Sequence, residues 1–497
     1  MSSKNQLNDD YKKKYIELLN KYKQMERKNM DLLTNLNTIN YYNYIKHKNV
    51  FNKLKFLNNR INLLFNEKIA KINTKHDKLI SILFFVHTWR EFSSKKSTAI
   101  GGTTNYVIDL VNHYKNKAHL YIITIINRRY MLVDIRNNKE IVYDLGVNVK
   151  VKNFEQYDED FYWRVKSVIN ELQIDLIHIN HIIDFPADLA LIASEYRTIT
   201  SIHDYTFLCP KYFMLDIDNK ICSSPCYYNC TKCLDVITEE EYNLRNQSIK
   251  TILIDSEKVI FPNITVVNKF KLFHNIKNDV VIEHGISTSK FKFLDNYNHK
   301  FNLDKLNIAF VGSVDEHKGG KIVKDVINNS PINIKYHFFG FSNDEYFKNN
   351  NSKFIYHGKY NKFDLPYLLQ KNKIDLVLFL NQVEESFSYS LSEVVLAGIP
   401  SLSFDIGAIG NRIKKDKLGW VMPITDKSQI VINKIIDIFT YGDYYDVKNC
   451  IKKYHFMTND EYADIIFKYY ISKYKPRLKD IYHHYRFLRQ FWVYTIF

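Results

Sequence analysis

From residue 79 onward the chain alternates short apolar runs with amphipathic stretches, and it does so twice, which leaves few folds open. In the first series the runs suited to buried parallel strands are Leu79–Val86, His119–Ile126, Asp175–Ile179, Thr198–Ile202 and Ile264–Val267. Helical periodicity lies between them, as in Tyr106–Tyr114 and Phe161–Leu172. A linker, His284–Lys305, leads to the second series: Leu306–Val311, Ile334–Phe339, Ser352–Ile355, Leu376–Phe379 and Ser401–Phe404. Strands separated by helices predict a parallel sheet covered on both faces. Two such series predict an α/β protein of two Rossmann-like, doubly wound domains facing a cleft at the carboxyl ends of their strands. The length of 497 residues agrees, since it exceeds what one core organises. The expected boundaries are a helical extension over 1–77, a first domain over 78–285, a second over 286–445 and C-terminal helices over 446–497.

Charge is distributed unevenly. Of the net +16, residues 1–78 carry +10, from seventeen Lys/Arg against seven Asp/Glu. In this leader Tyr15, Leu18, Tyr22, Met25, Leu32, Leu36 and Ile39 follow a 4-then-3 spacing, with Asn29 at the one polar seam position. That spacing averages the coiled-coil period and predicts a homodimer through residues 11–39. A helical hairpin of 11–39 and 45–75, folded back on the rest, fits the same pattern. The basic surface would attract phosphates or anionic lipid, or would simply be a solvated helical face. The tail, Tyr482–Phe497, is basic and aromatic, suited either to a membrane interface or to packing on the first domain, and packing is the expectation. Met1–Asp10 is polar, and the longest apolar run, Leu79–Val86, is too short to span a bilayer. A cytoplasmic protein, peripheral to a membrane at most, is therefore expected, and nucleic acid is not an expected partner. In a reducing compartment the six cysteines favour free thiols or a metal site over disulfides.

The most specific stretch is Glu384–Gly410, EESFSYSLSEVVLAGIPSLSFDIGAIG. Seven residues separate Glu385 from Glu393, and Ser392–Ala397 reads as helix. Glu385 then lies in the loop ahead of the helix and Glu393 well inside it. A helix N-terminus offers unpaired amides and partial positive charge to a diphosphate, while nearby carboxylates accept hydrogen bonds from sugar and ribose hydroxyls. A nucleotide sugar presents those groups together. Spacing alone would equally describe two glutamates on a solvated helix. The order of strand, loop, helix, Gly-Ile-Pro and second strand weighs against that.

This segment resembles the E-x7-E signature of glycosyltransferase family 4, retaining enzymes of GT-B architecture. It is most like the subgroup of bacterial polysaccharide or rhamnan-assembly transferases that read ESFSYSLSEAL, then GLPV, then DIGAI. The resemblance covers roughly residues 79–425. It implies that Glu385 contacts the donor sugar, that Glu393 contacts the ribose, and that amides around Ser386, Phe387 and Ser388 meet phosphate. Many members have Gly at the two serine positions, whose hydroxyls would here be extra donors. In Phe310–Gly320, FVGSVDEHKGG, Lys318 fits the family's phosphate-binding Lys, and a Lys at a strand-to-helix turn neutralises the departing diphosphate. Ser313 stands where many members have Arg, so one expected cation is missing.

In Ala99–Leu110 the pair Gly101–Gly102 lets backbone approach a ligand closely, and in the family this loop reaches across the cleft. His203, in Ser201–Cys209, would end a strand facing the cleft and help orient the sugar. Asp204 follows it, and His181 is assigned to the acceptor side. Retention is ascribed in the family to front-face attack, with the acceptor proton passing to the departing phosphate.

Cysteines 209, 222, 226, 230 and 233 fall within 25 residues. The Cys230-x2-Cys233 knuckle, completed by Cys209 and Cys222, has the spacing of a structural four-thiolate zinc. The subgroup shows a similar pattern, from which Cys226 departs, and free thiols are the other reading. Catalysis itself implies no cofactor. Two Asp-x-Asp triplets, Asp158–Asp160 and Asp216–Asp218, have the form that holds a divalent metal in single-domain transferases, but here chance explains both. The expected reaction moves a sugar from a nucleotide diphosphate to a hydroxyl of a glycan or glycolipid. A nucleotide-sugar epimerase on the same fold, or a non-catalytic scaffold with a degenerate transferase domain, are the competing readings.

Overall fold

The computed structural model describes residues 75–77, 79–89, 101–136, 139–152, 154–218, 220–222, 230, 233, 237–473, 477–479 and 493–494. The leader with its expected coiled coil, Cys226, and most of the aromatic tail lie outside the described residues.

The first domain runs β1 (Ile80–Phe85), α1 (Gly102–Tyr114), β2 (Ala118–Ile126), β3 (Arg129–Arg136), β4 (Lys139–Asn148), α2 (Glu159–Glu171), β5 (Leu176–Ile179), α3 (Asp188–Glu195), β6 (Thr198–Ser201), α4 (Glu239–Asp255), β7 (Lys258–Phe261), α5 (Ile264–Lys271) and β8 (Asp279–Val281). Its sheet has the order β4-β3-β2-β1-β5-β6-β7-β8, with Val493–Tyr494 paired antiparallel to β4. From β2 to β8 through β1 all neighbours are parallel. The strand β1 is buried on both faces. Leu83 and Phe85 join one apolar layer and Ile82 and Phe84 the other, as the two-residue alternation of a strand requires.

Two features of this domain differ from the sequence expectation. β2, β3 and β4 form an antiparallel meander, so the sheet is mixed rather than wholly parallel. The run Ile264–Val267 is the start of helix α5, and the neighbouring strand is β7. A four-residue apolar run fits either structure. The choice is made by Asn263, whose Oδ1 accepts from Thr265 N and caps the helix.

The second domain runs β9 (Leu306–Ser313), α6 (Gly320–Asn329), β10 (Ile334–Phe341), β11 (Phe354–Gly358), α7 (Leu365–Lys371), β12 (Leu376–Phe379), α8 (Tyr389–Leu396), β13 (Ser401–Phe404), α9 (Gly407–Asp416), β14 (Gly419–Met422), α10 (Ser428–Thr440) and α11 (Tyr444–Lys453). All six strands are parallel, in the order β11-β10-β9-β12-β13-β14. β11 starts two residues later than Ser352, and α8 starts three residues earlier than Ser392. α11 belongs to this domain, because Tyr444, Val447 and Ile451 enter its core. The expected boundary at 445 therefore moves beyond Lys453.

The last described helix, α12 (Asn459–Ile471), lies on the first domain. It places Tyr462, Ala463, Ile466 and Tyr470 in that domain's apolar layer. A buried polar ladder fixes its register: Tyr462 to Tyr106 at 2.7 Å, Tyr106 to Ser201 at 3.0 Å, Ser201 to His178 at 2.8 Å and His178 to Tyr470 at 2.5 Å. Every member uses its polar atom, so the ladder costs little desolvation and specifies one arrangement.

The chain passes between the domains twice, once leaving β8 and once entering α12. The two crossings are joined where Ile286 N donates to Met457 O at 3.0 Å. Gly285 permits this contact, since a Cβ there would stand 2.5 Å from the Thr458 carbonyl oxygen and 2.7 Å from Asn459 Cα. Gly285→Ala should therefore lower unfolding stability by about 1–3 kcal/mol through overpacking. A urea midpoint equal to that of the unaltered chain would contradict the contact.

Candidate functional site

Strands β9 and β12 are neighbours, and the chain leaves them toward opposite ends of the sheet. Their carboxyl ends therefore frame the crevice in which open α/β sheets bind ligands. The loop after β9 carries Lys318 and the loop after β12 carries Glu385. Lys318 Nζ lies 2.9 Å from Glu385 Oε1, and Asn381 Nδ2 donates to the same oxygen at 3.2 Å. Glycine allows the two loops to come together. Gly319 has φ +85°, and a Cβ there would lie 2.1 Å from the Leu380 carbonyl oxygen. Gly407, with φ +53°, passes so close to the other loop that a Cβ would meet Glu384 Cα and Glu385 N at 3.0 Å.

Arg412 on α9 fastens this loop from beneath. Its Nη1 donates to the carbonyls of Phe387 and Ser388 at 3.0 Å each, its Nη2 donates to Ser392 Oγ at 2.8 Å, and its guanidinium lies over the Phe387 ring. Such planar, multi-donor recognition of backbone is what guanidinium offers over ammonium. Phe387 is buried and serves packing. The two loop serines depart from the role of extra phosphate donors. The Ser386 hydroxyl donates to the His203 carbonyl across the cleft, and the Ser388 hydroxyl accepts from Leu391 N as the cap of α8, with φ +70°. The helix amides at 389 and 390 still lack partners within the helix. Glu393, inside α8, is 6% exposed. Burial pushes its carboxyl up to about 8, against the opposing field of Lys362. Ser313 ends β9 beside Phe341, and the second cation at the loop comes from the other domain, where Lys269 on α5 pairs with Glu384 at 3.0 Å. Tyr205 donates to the same carboxylate at 3.2 Å.

The opposing wall is built at the carboxyl ends of β1, β5 and β6. His203 follows β6. Asn180 uses its Nδ2 to donate to the His178 carbonyl at 3.1 Å, so its Oδ1 faces His203 Nε2 at 3.3 Å. The imidazole must then carry its proton on Nε2. Burial holds the ring well below its ordinary pKa, with the field of His284 acting the same way. His203 is thus a neutral ring that presents Nδ1 as an acceptor. It stacks on His284, with centroids 5.5 Å apart, and His284 stacks on Tyr389 of the second domain at 5.7 Å. Gly102 faces the same residue: a Cβ there would lie 3.6 Å from the Tyr389 ring, whereas Gly101 faces open space.

Asp204 accepts from Thr206 N at 2.8 Å and from the Thr206 hydroxyl. Burial raises its pKa, but His181 and the Thr206 donors outweigh that and hold the carboxyl well below the usual range. His181 does not line the acceptor side with a free atom. It is 2% exposed, its Nδ1 accepts from Ile183 N at 3.1 Å and its Nε2 faces Asp204 at 3.1 Å. It positions Asp204 from behind. His87 lies against it, with centroids 4.1 Å apart.

Among the described residues no three His, Cys, Asp or Glu side chains stand together as a metal-holding group. Cys209, Cys222, Cys230 and Cys233 form no disulfide. Asp158 caps α2 and Asp216 closes a turn by accepting from Asp218 N and Lys220 N, which accounts for both acidic triplets. A small recess walled by Tyr106, Asp109, Gly285, Tyr389 and Asn459 is about 10 Å³, room for one water at most. The side chains of Lys318, Glu385 and Asp204 reach solvent, at 22%, 27% and 32% exposed. No described helix is long and apolar enough to cross a membrane.

Arg412, His284, His87 and the Glu384 pairs were not foreseen from sequence. Arg412 is the second residue after DIGAIG, a position that signals nothing until the helix is seen beneath the loop.

Residues 294–447 match the family model of glycosyl transferases group 1. No curated protein sequence matches the chain. Among solved structures it is similar to sucrose-phosphate synthase from Thermosynechococcus elongatus, with TM-score 0.53 and 12% identity over 79% of this chain and 98% of that one. HepE of Anabaena in complex with UDP and glucose gives 0.52 and 13% over 80% and 100%. A glycosyltransferase from Rickettsia africae gives 0.51 and 12% over 80% and 99%. At these identities the likeness defines the architecture. The fold is GT-B, two Rossmann-like domains facing a cleft. Its second domain carries the glycosyl transferases group 1 match, and that match includes Lys318, Glu385, Glu393 and Arg412.

Several buried or half-buried histidines make the fold acid-sensitive. Burial lowers His87, His178, His284 and His337 to about 3 each, from an unfolded value near 6.5. Each is neutral when folded and takes a proton only on unfolding, so its contribution is complete above pH 6.5 and is lost as pH falls toward 3. The loss should reach ~1.4 kcal/mol per pH unit for each ring. His284→Phe keeps the ring stack and, since His284 Nδ1 has no partner, breaks no bond at that atom. Urea unfolding between pH 7.5 and 5 should show a slope shallower by about one proton for this variant. An unchanged slope would contradict a neutral buried His284.

Proposed function

We propose that the protein is a retaining glycosyltransferase of family 4 type that moves a sugar from a nucleoside diphosphate donor to a hydroxyl of a glycan or glycolipid acceptor. The observation that carries the reading is the convergence of Lys318, Glu385 and buried Glu393 at the switch point of a domain matching glycosyl transferases group 1, opposite His203 and Asp204. Crystallised with UDP and glucose, HepE supports a nucleotide-sugar ligand for this architecture.

In this structure Lys318 is neutralised by Glu385. A donor β-phosphate can take the Lys318 N–H bonds together with the first amides of α8. That releases Glu385 to accept from sugar hydroxyls, while Glu393 accepts from the ribose. His203 contributes Nδ1 as a further acceptor for a sugar hydroxyl. The bond from the anomeric carbon to the diphosphate oxygen breaks and a bond to the acceptor oxygen forms on the same face. The acceptor proton passes to the departing phosphate, whose extra charge Lys318 and the helix terminus stabilise. No protein nucleophile is needed.

Two consequences are measurable. Glu385→Gln should tighten binding of the bare nucleoside diphosphate roughly five-fold, the ~1 kcal/mol that a partly exposed ion pair is worth, while lowering transfer about 100-fold. Equal loss of diphosphate binding and transfer would contradict the exchange. Donor binding to ionised Glu393 should tighten as pH rises from 6 to 8, by up to about ten-fold per unit, then level off. Glu393→Gln should abolish that dependence.

The reading as a whole is tested by a thermal-shift panel of nucleoside diphosphates and their sugars, since a ligand that binds the folded state raises its stability. The best donor is then incubated with glycan and glycolipid acceptors. Transfer with α-to-α or β-to-β outcome supports it. Epimer formation without acceptor, or no shift with any donor, overturns it.

A further inference from the structure

Three consecutive residues of the loop after β12 send their polar groups in different directions. Glu385 turns to Lys318 within its own domain, at 2.9 Å. Glu384 and Ser386, one residue to either side, reach the first domain instead. Glu384 Oε1 accepts from Lys269 Nζ at 3.0 Å, its Oε2 accepts from the Tyr205 hydroxyl at 3.2 Å, and the Ser386 hydroxyl donates to the His203 carbonyl. Both donors to Glu384 are fixed by helix α5. That helix packs against α9 across the domain boundary and brings Lys269 to the loop, whereas Lys271 stays in its own domain on Asp279 at 2.9 Å. The Tyr205 ring, 1% exposed, stacks on Phe270 of the same helix with centroids 6.4 Å apart. The Lys269 and Glu384 side chains are only 15% and 20% exposed, so salt screens this pair less than one at the open surface. A carboxylate with a different donor on each oxygen is held in one orientation, and the loop that carries it is located with it.

We propose that Glu384 is a positioning residue: by clasping Lys269 and Tyr205 it holds the cleft shut and sets Glu385 opposite His203. The role in transfer rests on the glycosyl-transfer reading, while the clasp itself does not. Glu384 touches neither donor nor acceptor and acts through the residue that follows it. A sugar held between Glu385 and His203 lies beside the Ser386–His203 bond, so it enters and leaves when the bonds of the clasp part. The domains then turn about the paired crossings at Ile286 and Met457. Opening returns Glu384 and Lys269 to water, and closing exchanges that water for one charge-paired and one neutral donor, so the two states stay close in free energy. The clasp keeps the closed form in roughly ten-fold excess. Removing the charge of Glu384 lowers that ratio roughly 100-fold, the scale of two hydrogen bonds to an ionised group, and leaves the open form dominant.

The test joins a distance measurement on the full-length, ligand-free protein to steady-state transfer kinetics. Spin labels on non-natural side chains at exposed Gln247 and Gln429, one in each domain, read the separation of the domains without using the native cysteines. The unaltered protein should give one dominant distance. Glu384→Gln and Lys269→Met should each give a second, longer distance in most molecules and lower kcat/KM about ten-fold. The double variant should be no worse than either single one, because all three lack the same contact. The reciprocal exchange, Glu384→Lys with Lys269→Glu, keeps the ion pair, and the Tyr205 oxygen then accepts from the new ammonium. It should restore both the short distance and transfer to within about three-fold, a rescue that a role confined to one domain would not show. An unchanged distance in the single variants, fully additive losses in the double variant, or failure of the reciprocal exchange would each overturn the clasp. A longer distance with unaltered kcat/KM would overturn the positioning role. Absence of transfer by the unaltered protein would overturn the reaction that the clasp serves, while the distances would still decide whether Glu384 closes the cleft.

Discussion

The contact between Lys318 and Glu385 organises the second domain's side of the cleft. Two oppositely charged groups from different strand-to-helix turns meet at 2.9 Å, and the surrounding architecture is what makes that distance attainable. β9 and β12 must be neighbours, the turns must be tight enough to need Gly319 and Gly407, and the loop must be held by Arg412 from below. In the proposed reaction the pair stands in for a ligand: a carboxylate occupies the cation that a phosphate would take, and the two charges balance each other.

The opposing wall follows a different physical logic. His178 and His284 are buried and His203 half-buried, desolvation keeps all three neutral, and the rings are held by the stack of His203 on His284 and by hydrogen bonds to Asn180, Ser201 and Tyr470. A neutral ring presents one acceptor of defined position, which suits orienting hydroxyls. Charge is concentrated instead on Asp204, held ionised by His181 and Thr206. The Ser386 and Glu384 contacts join this wall to the donor loop, so the two halves of the cleft share hydrogen bonds rather than only facing each other.

Much of this was legible in the chain itself, and where it was not, the reason is physical. Buried parallel strands write long apolar runs, so β1, β5, β9, β12 and β13 were readable. The meander β3–β4 was not, because its polar and apolar residues mix with the basic turn at Asn127–Arg129, and α5 was misread because a short apolar run carries no period. The GT-B architecture and the group 1 match agree with the resemblance read from Glu384–Gly410. The supporting residues were invisible for a different reason. Arg412, His284 and His87 act through contacts with residues tens to hundreds of positions away, and a lone Arg or His has no local pattern. The loop serines show the converse: their positions are those of phosphate donors, yet geometry commits both hydroxyls to protein partners.

The account turns on where a diphosphate goes when it arrives. A crystal structure of the protein with a nucleoside diphosphate sugar measures this directly. The prediction is a β-phosphate on Lys318 and the first amides of α8, the ribose at Glu393, and the Glu385 carboxylate swung from the lysine to the sugar. A nucleotide bound outside this crevice, or one seated there with Lys318 still paired to Glu385, would contradict it.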